Sequence, residues 1–444
     1  MESTSFSQYR ESTDYLFGLQ KYGIKFGLNC TANLLSRVGN PHQRLRCIHI
    51  AGTNGKGSTA AMLSAIMKRH GLRVGLYTSP HLVRFTERFR IDDDEVSPER
   101  IMEIYRCVRQ VVDEAEPPTF FEIVTTMAFQ YFAEEKVDWA IVEAGMGGRL
   151  DATNVLRPQV SVITNVSLDH EEYLGNTLGA IAREKAGIIK AQVPVVTGAR
   201  QPLVQAILKT SCLRLDAPLA RLGKDFRARR NADGFLRYDG LKRRFPSLEL
   251  NLVGWHQFCN AALALATLEV LEREGALSLN PALIQEGLLQ VRWPARLEIL
   301  QEKPLVILDG AHNPQGAECL RDALKQFFPK RRLHLVLGIM ADKDIRGILS
   351  RLLPRAATAI FTQPKYARRA DPETLRQLAK PYLQKHYVIP DPRLAIQQAM
   401  SLAAPEDVIC ITGSLYFAGE VKEFFGEPNY GGLNTEAGGQ RGQG

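Results

Sequence analysis

The residues Gly52-Thr53-Asn54-Gly55-Lys56-Gly57-Ser58-Thr59 have the types and spacing to hold a polyphosphate. Glycines let a backbone close round an anion, and amides at a helix start point toward it along a favourable dipole. Lys56 adds a full positive charge, and the Ser58 or Thr59 hydroxyl can meet a phosphate-bound metal. The general P-loop places its lysine directly before the hydroxyl residue. Here Gly57 intervenes, and Gly52 sits four residues before Lys56, so the turn is a particular variant of that motif.

Further polar residues stand where apolar runs end. Ser79 follows Val74 to Thr78, and Glu143 closes Trp139-Ala140-Ile141-Val142 just before Gly145-Met146-Gly147-Gly148. His170 follows the run Val160 to Thr164, and Lys185 lies on the next helical segment, in Arg183-Glu184-Lys185-Ala186-Gly187. Open parallel sheets bind ligands at the carboxyl ends of their strands. A hydroxyl, a carboxylate and an imidazole placed there can converge on Mg²⁺ beside the phosphates, the carboxylate being the hard ligand this ion prefers. Glu143 argues most strongly, because a carboxylate ending an apolar strand is costly unless paired or metal-bound. Taken singly, Ser79 would serve equally as a helix cap and His170 as a loop histidine held by hydrogen bonds.

The elements that position these groups follow from periodicity. Cys47 to Ile50 is a short apolar run before the glycine turn, and Ala60 to Met67 continues as a helix. From Leu45 to about Ile207, short apolar runs alternate with helical periodicity, which predicts a mostly parallel sheet covered by helices. Strands are expected at Arg73 to Tyr77, Trp139 to Glu143, Val160 to Thr164 and Val193 to Thr197. A helix starts at Ser97-Pro98 and stops before Pro117-Pro118. Residues 222 to 253 carry turn signals, Asn231-Ala232-Asp233-Gly234 and Tyr238-Asp239-Gly240, between alternating segments, so hairpins are appended to the sheet. A long helix, Gln257 to Glu274, follows.

Val291-Arg292-Trp293-Pro294-Ala295 marks a domain boundary, giving a first domain at 1–293 and a second at 294–427. Beyond it a second α/β alternation begins: strand Leu305 to Leu308, helix Gly316 to Phe328, strand Leu333 to Leu337, helix Ile345 to Leu353, strand Ala359 to Thr362, two more helices, and strand Val408 to Thr412. The expected class is α/β: a P-loop-type, mostly parallel sheet domain with appended hairpins, then a smaller Rossmann-like α/β domain. Residues 428–444, rich in Gly, Asn and Gln, are expected to be a disordered tail.

The 444-residue length exceeds a single compact core. Seven cysteines without close pairs indicate reduced thiols rather than a metal or disulfide framework. The amino terminus lacks a basic-then-apolar signal and no apolar run is long enough to span a bilayer, so a cytoplasmic protein with no membrane partner is expected. The net charge of +8 suits an anionic partner. The basic clusters at Arg227, Arg229 and Arg230, at Lys242, Arg243 and Arg244, and at Lys330, Arg331 and Arg332 lack aromatic interleaving, which points away from nucleic acid.

Several separated segments together resemble the folylpolyglutamate synthase/dihydrofolate synthase family of the Mur ligase superfamily. They are Ala51 to Thr59, Thr78-Ser79-Pro80-His81-Leu82, Glu143 to Asn154, Asp169-His170, Arg183 to Gly187, Asp309-Gly310-Ala311-His312-Asn313-Pro314 and Gly413-Ser414-Leu415-Tyr416. The resemblance runs in the family's order from about residue 10 to residue 425. It implies that Gly55, Lys56, Gly57 and Ser58 hold ATP phosphates, and that Ser79, Glu143 and His170 ligate Mg²⁺. It implies that Asn260, Arg296, Asp309 and His312 contact the nucleotide. Thr53, Asn54, Gly55, Phe121, Glu122, Ile123, Val124, Leu150, Asp151 and Ala152 correspond to the pterin-binding positions, although Phe121 would equally pack a core. Lys56, His170 and Lys185 are the implied catalytic set. Lys185 matches the lysine this family carboxylates; apart from the motif it reads as an exposed helix lysine.

The implied reaction is amide formation driven by ATP: a substrate carboxylate takes the γ-phosphoryl group, and the amine of L-glutamate then displaces phosphate. The acceptor is dihydropteroate, giving dihydrofolate, or a reduced folate, giving folylpolyglutamates. The tract Ser79 to Arg88 resembles the bacterial enzymes that do both. Small-molecule substrates and a monomeric state are expected, with closure of the two domains assembling the site. Two other readings remain. A Mur ligase of cell-wall precursors would carry a UDP-binding domain ahead of the phosphate loop, where about 50 residues stand here. A nucleotide switch without ligase activity would draw on Ala341-Asp342-Lys343-Asp344, but leaves Glu143, His170 and Lys185 unexplained.

Overall fold

The computed structural model describes residues 16–19, 27–113 and 115–426. The expected tail, 428–444, lies outside the described residues. The chain divides into two compact units. The first comprises the chain up to Pro80 together with Thr86–Asn251 and His256–Arg292; the second takes His81–Phe85, Leu252–Trp255 and the chain from Trp293 onward. A single cut near residue 293 therefore omits two short segments that cluster with the second unit. Leu82 and Val83 belong there because they are buried in one apolar cluster with Val306, Leu308, Ile409 and Ile411.

The first unit is built on eight strands: β1 (Cys47–Ala51), β2 (Val74–Tyr77), β3 (Phe89–Ile91), β4 (Asp94–Glu95), β5 (Trp139–Glu143), β6 (Val160–Ile163), β7 (Val195–Thr197) and β8 (Leu219–Arg221). They lie in the order β4-β3-β2-β5-β1-β6-β7-β8. From β2 to β8 every neighbouring pair is parallel, and β3 and β4 add an antiparallel edge. The five residues of β1 and the five of β5 are all buried, as a central strand covered on both faces requires. Burial of each such Ile or Val side chain contributes about 1.5–3 kcal/mol. β8 was not expected, since Leu219–Arg221 is only partly buried and too short for a periodic signal.

The appended hairpins form a separate antiparallel sheet, β9 (Arg227–Arg230), β10 (Leu236–Asp239) and β11 (Arg244–Leu248), in the order β11-β10-β9. The second unit carries β12 (Glu298–Glu302), β13 (Leu305–Leu308), β14 (Leu333–Leu337), β15 (Thr358–Phe361), β16 (His386–Val388) and β17 (Val408–Thr412), in the order β12-β13-β17-β14-β15-β16. Its central strands are wholly buried, whereas the edge strands β12 and β16, neither expected, are polar and half-exposed.

Helix starts repeat one local chemistry. Ser97, Asn280, Asn313, Asp371 and Asp391 each precede a proline and accept an amide of the following first turn. The helix begun at Ser97 ends at Gln110, well before Pro117, where the β-branched pair Val111-Val112 follows. No helix among the described residues is long and apolar enough to cross a membrane.

Candidate active site

The order β2-β5-β1-β6 sets four parallel strands side by side, so the segments leaving their carboxyl ends share one edge of the sheet. Those segments carry Ser79, Glu143, the glycine turn and His170. The turn leads into the helix Lys56–Arg69, which no side chain caps; Gly55, at φ 82°, occupies the cap position in the left-handed region. The amides of that helix start carry no side-chain cap, in contrast to starts such as Ser97 and Asn313, and can meet an anion.

The turn is clamped by the strand beside it. Thr164 Oγ1 donates to the Asn54 carbonyl (2.7 Å), Asn165 Oδ1 accepts from Asn54 N (2.9 Å), and Ser167 N donates to Thr53 Oγ1 (3.0 Å). A Cβ on Gly52 would overlap Thr164, and one on Gly55 would overlap the Asn260 amide. Asn260, on the helix Trp255–Arg273, donates to Gln257 Oε1 (2.9 Å), and Gln257 Nε2 is buried with no hydrogen-bond partner. Gln257, Thr164 and Asn165 were not singled out in the sequence. Gln257 lies one helical turn before Asn260, and Thr164 directly follows β6, so the i,i+3 and strand-end rules could have found them.

Lys56 Nζ lies 3.6 Å from Glu143 Oε1, with both side chains mostly buried. Lys185 is 3% exposed, on the helix Leu178–Ala186. Burial, and then the charge of Lys56, lower its pKa to about 7, against the opposing pull of Asp169 and Asp151. This corrects the alternative of an exposed helix lysine. His170 takes a left-handed backbone (φ 52°), is about one-third exposed and approaches Asp169 Oδ1 at 4.0 Å.

Asp151 is buried, which raises its pKa, yet both oxygens are used. One accepts from Met146 N (2.9 Å); the other accepts from the amide and hydroxyl of Thr153, and His49 Nε2 meets the same hydroxyl (2.8 Å). The carboxylate therefore shapes the turn after Glu143. Beside that turn, the half-buried Phe121 ring covers Gly145, whose added Cβ would stand 2.6 Å from Phe121 Cζ. Thr53 and Ala152 are buried, and Asn54 and Leu150 are half-buried.

In the second unit, Asp309 Oδ2 accepts from Leu297 N (3.0 Å) and Oδ1 from Ala311 N (2.9 Å). Arg296 Nη1 donates to the Ala295 carbonyl, and His312 Nδ1 meets the Gly310 carbonyl, both at 2.8 Å. Burial raises the Asp309 pKa against the lowering effect of Arg296. Ala295 and Leu297 both have positive φ, 54° and 49°.

Comparison with known proteins agrees with this layout. Residues 50–268 match the Mur ligase middle domain and 295–415 the Mur ligase glutamate ligase domain. The dihydrofolate synthase/folylpolyglutamate synthase of Bacillus subtilis is 34% identical, over 94% of this chain and 99% of its own. The enzyme of that name from Escherichia coli is 32% identical, over 94% and 96%. The chain is a member of the folylpolyglutamate synthase/dihydrofolate synthase family. The solved Mycobacterium tuberculosis folylpolyglutamate synthase complexed with ADP is 36% identical with a TM-score of 0.89, over 95% of this chain and all of that one. A bifunctional folylpolyglutamate synthase/dihydrofolate synthase with Mn, AMPPNP and L-glutamate bound gives 0.84 at 33% identity, over 92% and 97%.

Within this family framework, Ile123 and Val124 are fully buried on the helix Phe120–Glu134. Glu122 accepts from Thr119 N (2.7 Å) and Thr119 Oγ1 (2.8 Å), closing a capping box. No group of three or more His, Cys, Asp or Glu able to hold a metal occurs among the described residues. The hydroxyl, carboxylate and imidazole that leave these neighbouring strand ends are donor types compatible with an ion that keeps waters and phosphate oxygens as its other ligands.

Proposed function

We propose that this chain couples ATP cleavage to the joining of L-glutamate onto dihydropteroate and onto reduced folates. The observation that carries the reading is the meeting of an uncapped glycine turn, the Lys56–Glu143 pair and the buried Lys185 in a folate-ligase family member. The turn amides and Lys56 hold the triphosphate. The substrate carboxylate attacks the γ-phosphorus and ADP leaves, forming an acyl phosphate; the glutamate amine attacks its carbonyl carbon, phosphate departs, and the amine proton is released. Ser79, Glu143 and His170 would hold Mg²⁺, which when bound neutralises phosphate charge. Phosphoryl transfer needs such alignment and neutralisation more than covalent help.

Lys185, with a pKa near 7, is supplied with free amine at neutral pH. Its nitrogen can attack CO₂, losing a proton to form a carbamate. The product is an anion near Lys56, which attracts that charge where a protonated amine would repel it. Phe121 offers an aromatic face to the pterin, and Asp151 holds the adjoining turn. Asn260, Arg296, Asp309 and His312 are assigned to the nucleotide. We further assign the chain to the cytoplasm as a monomer; its seven cysteines, none in a disulfide, support a reducing compartment, and light scattering tests the mass.

The decisive assay supplies ATP, Mg²⁺ and labelled glutamate with dihydropteroate or tetrahydrofolate. Label incorporated into both acceptors with one ADP per bond is expected; ATP hydrolysis indifferent to glutamate would overturn the ligase reading, and incorporation into one acceptor alone would overturn bifunctionality.

A further inference from the structure

The small sheet β9–β11 has two unlike faces. Ala228, Leu236, Tyr238 and Leu248 are buried on one. On the other, register sets Arg229 opposite Arg237, and Arg227 and Arg244 on either side of Asp239. All four arginines are exposed. Like charges directly opposite across an antiparallel pair are destabilising. The single acidic residue of the face, Asp239, meets only Arg237, at 3.4 Å; Arg227, Arg229 and Arg244 make no ion pair among the described residues.

This face is rigidly mounted. The buried Glu269 carboxylate accepts from Tyr238 Oη (2.6 Å) and from the amides of Leu241, Lys242 and Arg243, bolting the β10–β11 turn to the helix Trp255–Arg273. Asn260, which packs on the phosphate turn, lies nine residues earlier on that helix, about 14 Å along its axis.

Resting on the ligase reading above, we propose that the outward face of β9–β11 docks the oligo-γ-glutamyl chain of the polyglutamylated folate. That chain carries one free carboxylate per glutamate, matching a row of arginines. An exposed arginine–carboxylate pair is worth only about 0–1 kcal/mol, so one glutamate gains little, whereas several tethered carboxylates engage together. Affinity therefore grows with chain length and falls with salt. The face positions Arg227, Arg229, Arg237, Asp239 and Arg244 include no aromatic ring, which favours a carboxylate chain over stacked bases.

The test measures binding of fluorescent γ-linked mono- and hexaglutamate to the full chain by anisotropy, with a single-stranded oligonucleotide as competitor. Arg229→Glu/Arg237→Glu is compared with wild type, and Arg227→Gln/Arg244→Gln serves as a second, milder variant. Expected are tighter binding of hexaglutamate than monoglutamate, at least tenfold loss in the charge-reversed variant, a smaller loss in the second, and unchanged glutamate addition to a monoglutamyl acceptor. Equal hexaglutamate affinity in the variants, or an oligonucleotide bound more tightly than hexaglutamate, overturns the docking proposal. Absence of glutamate addition by the wild-type chain would instead overturn the ligase reading.

Discussion

At the residue scale, Lys185 and Glu143 are where the proposed chemistry is tested. Lys185→Arg keeps a cation but removes the nucleophilic amine, so turnover should fall at least 100-fold, while circular dichroism shows the fold intact. The pH dependence follows from the lowered pKa of about 7. Below that value the amine is protonated in the folded chain and carbamate cannot form, so activity should fall as pH drops through 7 and recover with bicarbonate at pH 8. Stability shifts in a related sense. Between about 7 and the unfolded lysine value the unfolded chain binds the extra proton, so the burial penalty eases as pH rises and is full below 7. A profile indifferent to bicarbonate would contradict the carbamate. Glu143→Gln should raise the Mg²⁺ concentration for half-maximal activity at least tenfold; an unchanged requirement would remove Glu143 from the metal set. Glu143 was legible because a carboxylate ended an apolar run. The burial of Lys185 was not, because helical spacing alone does not say which face another element covers.

At the element scale, the glycine turn proposed to hold the phosphates depends on close packing. Gly55→Ala places a side chain at φ 82° and drives its Cβ into the Asn260 amide. The left-handed conformation alone costs about 1–2 kcal/mol, and calorimetry should show ATP affinity falling well over tenfold. Unaltered affinity would mean that the turn does not carry the phosphates. The linker segment Ala295–Leu297 in the second unit holds two non-glycine residues in left-handed backbone, secured by Asp309 Oδ2 on Leu297 N and Glu298 Oε2 on Ala295 N. Asp309→Asn turns one acceptor into a donor facing an amide. Both thermal stability and nucleotide affinity should drop; loss of stability with full affinity retained would make Asp309 purely structural. The capping box at Thr119 and Glu122 was readable from the Thr-x-x-Glu spacing. Its consequence, a glutamate committed to its own helix, emerged only once the helix start was seen.

At the scale of the whole molecule, the net charge of +8 should draw in substrates that are polyanions. The screening length shrinks from about 30 Å at 0.01 M salt to about 10 Å at 0.1 M. The KM for ATP should accordingly rise several-fold over that range, and a flat salt profile would confine electrostatics to the site itself. Local order in the chain was sufficient for the glycine turn, the buried parallel strands and the proline-marked helix starts, because each depends on residues within one turn or one strand. Strands β3, β4, β8, β12 and β16 escaped notice, since segments of two to five residues, most of them partly exposed, carry little periodicity. Strand order was also undetermined: only long-range pairing sets β5 between β1 and β2 and so brings Glu143 to Lys56. The same pairing buries Lys185, turns Ile123 and Val124 inward, and aligns four arginines on one exposed face. Residue types define what chemistry is available, and tertiary packing decides which groups lose water and which meet.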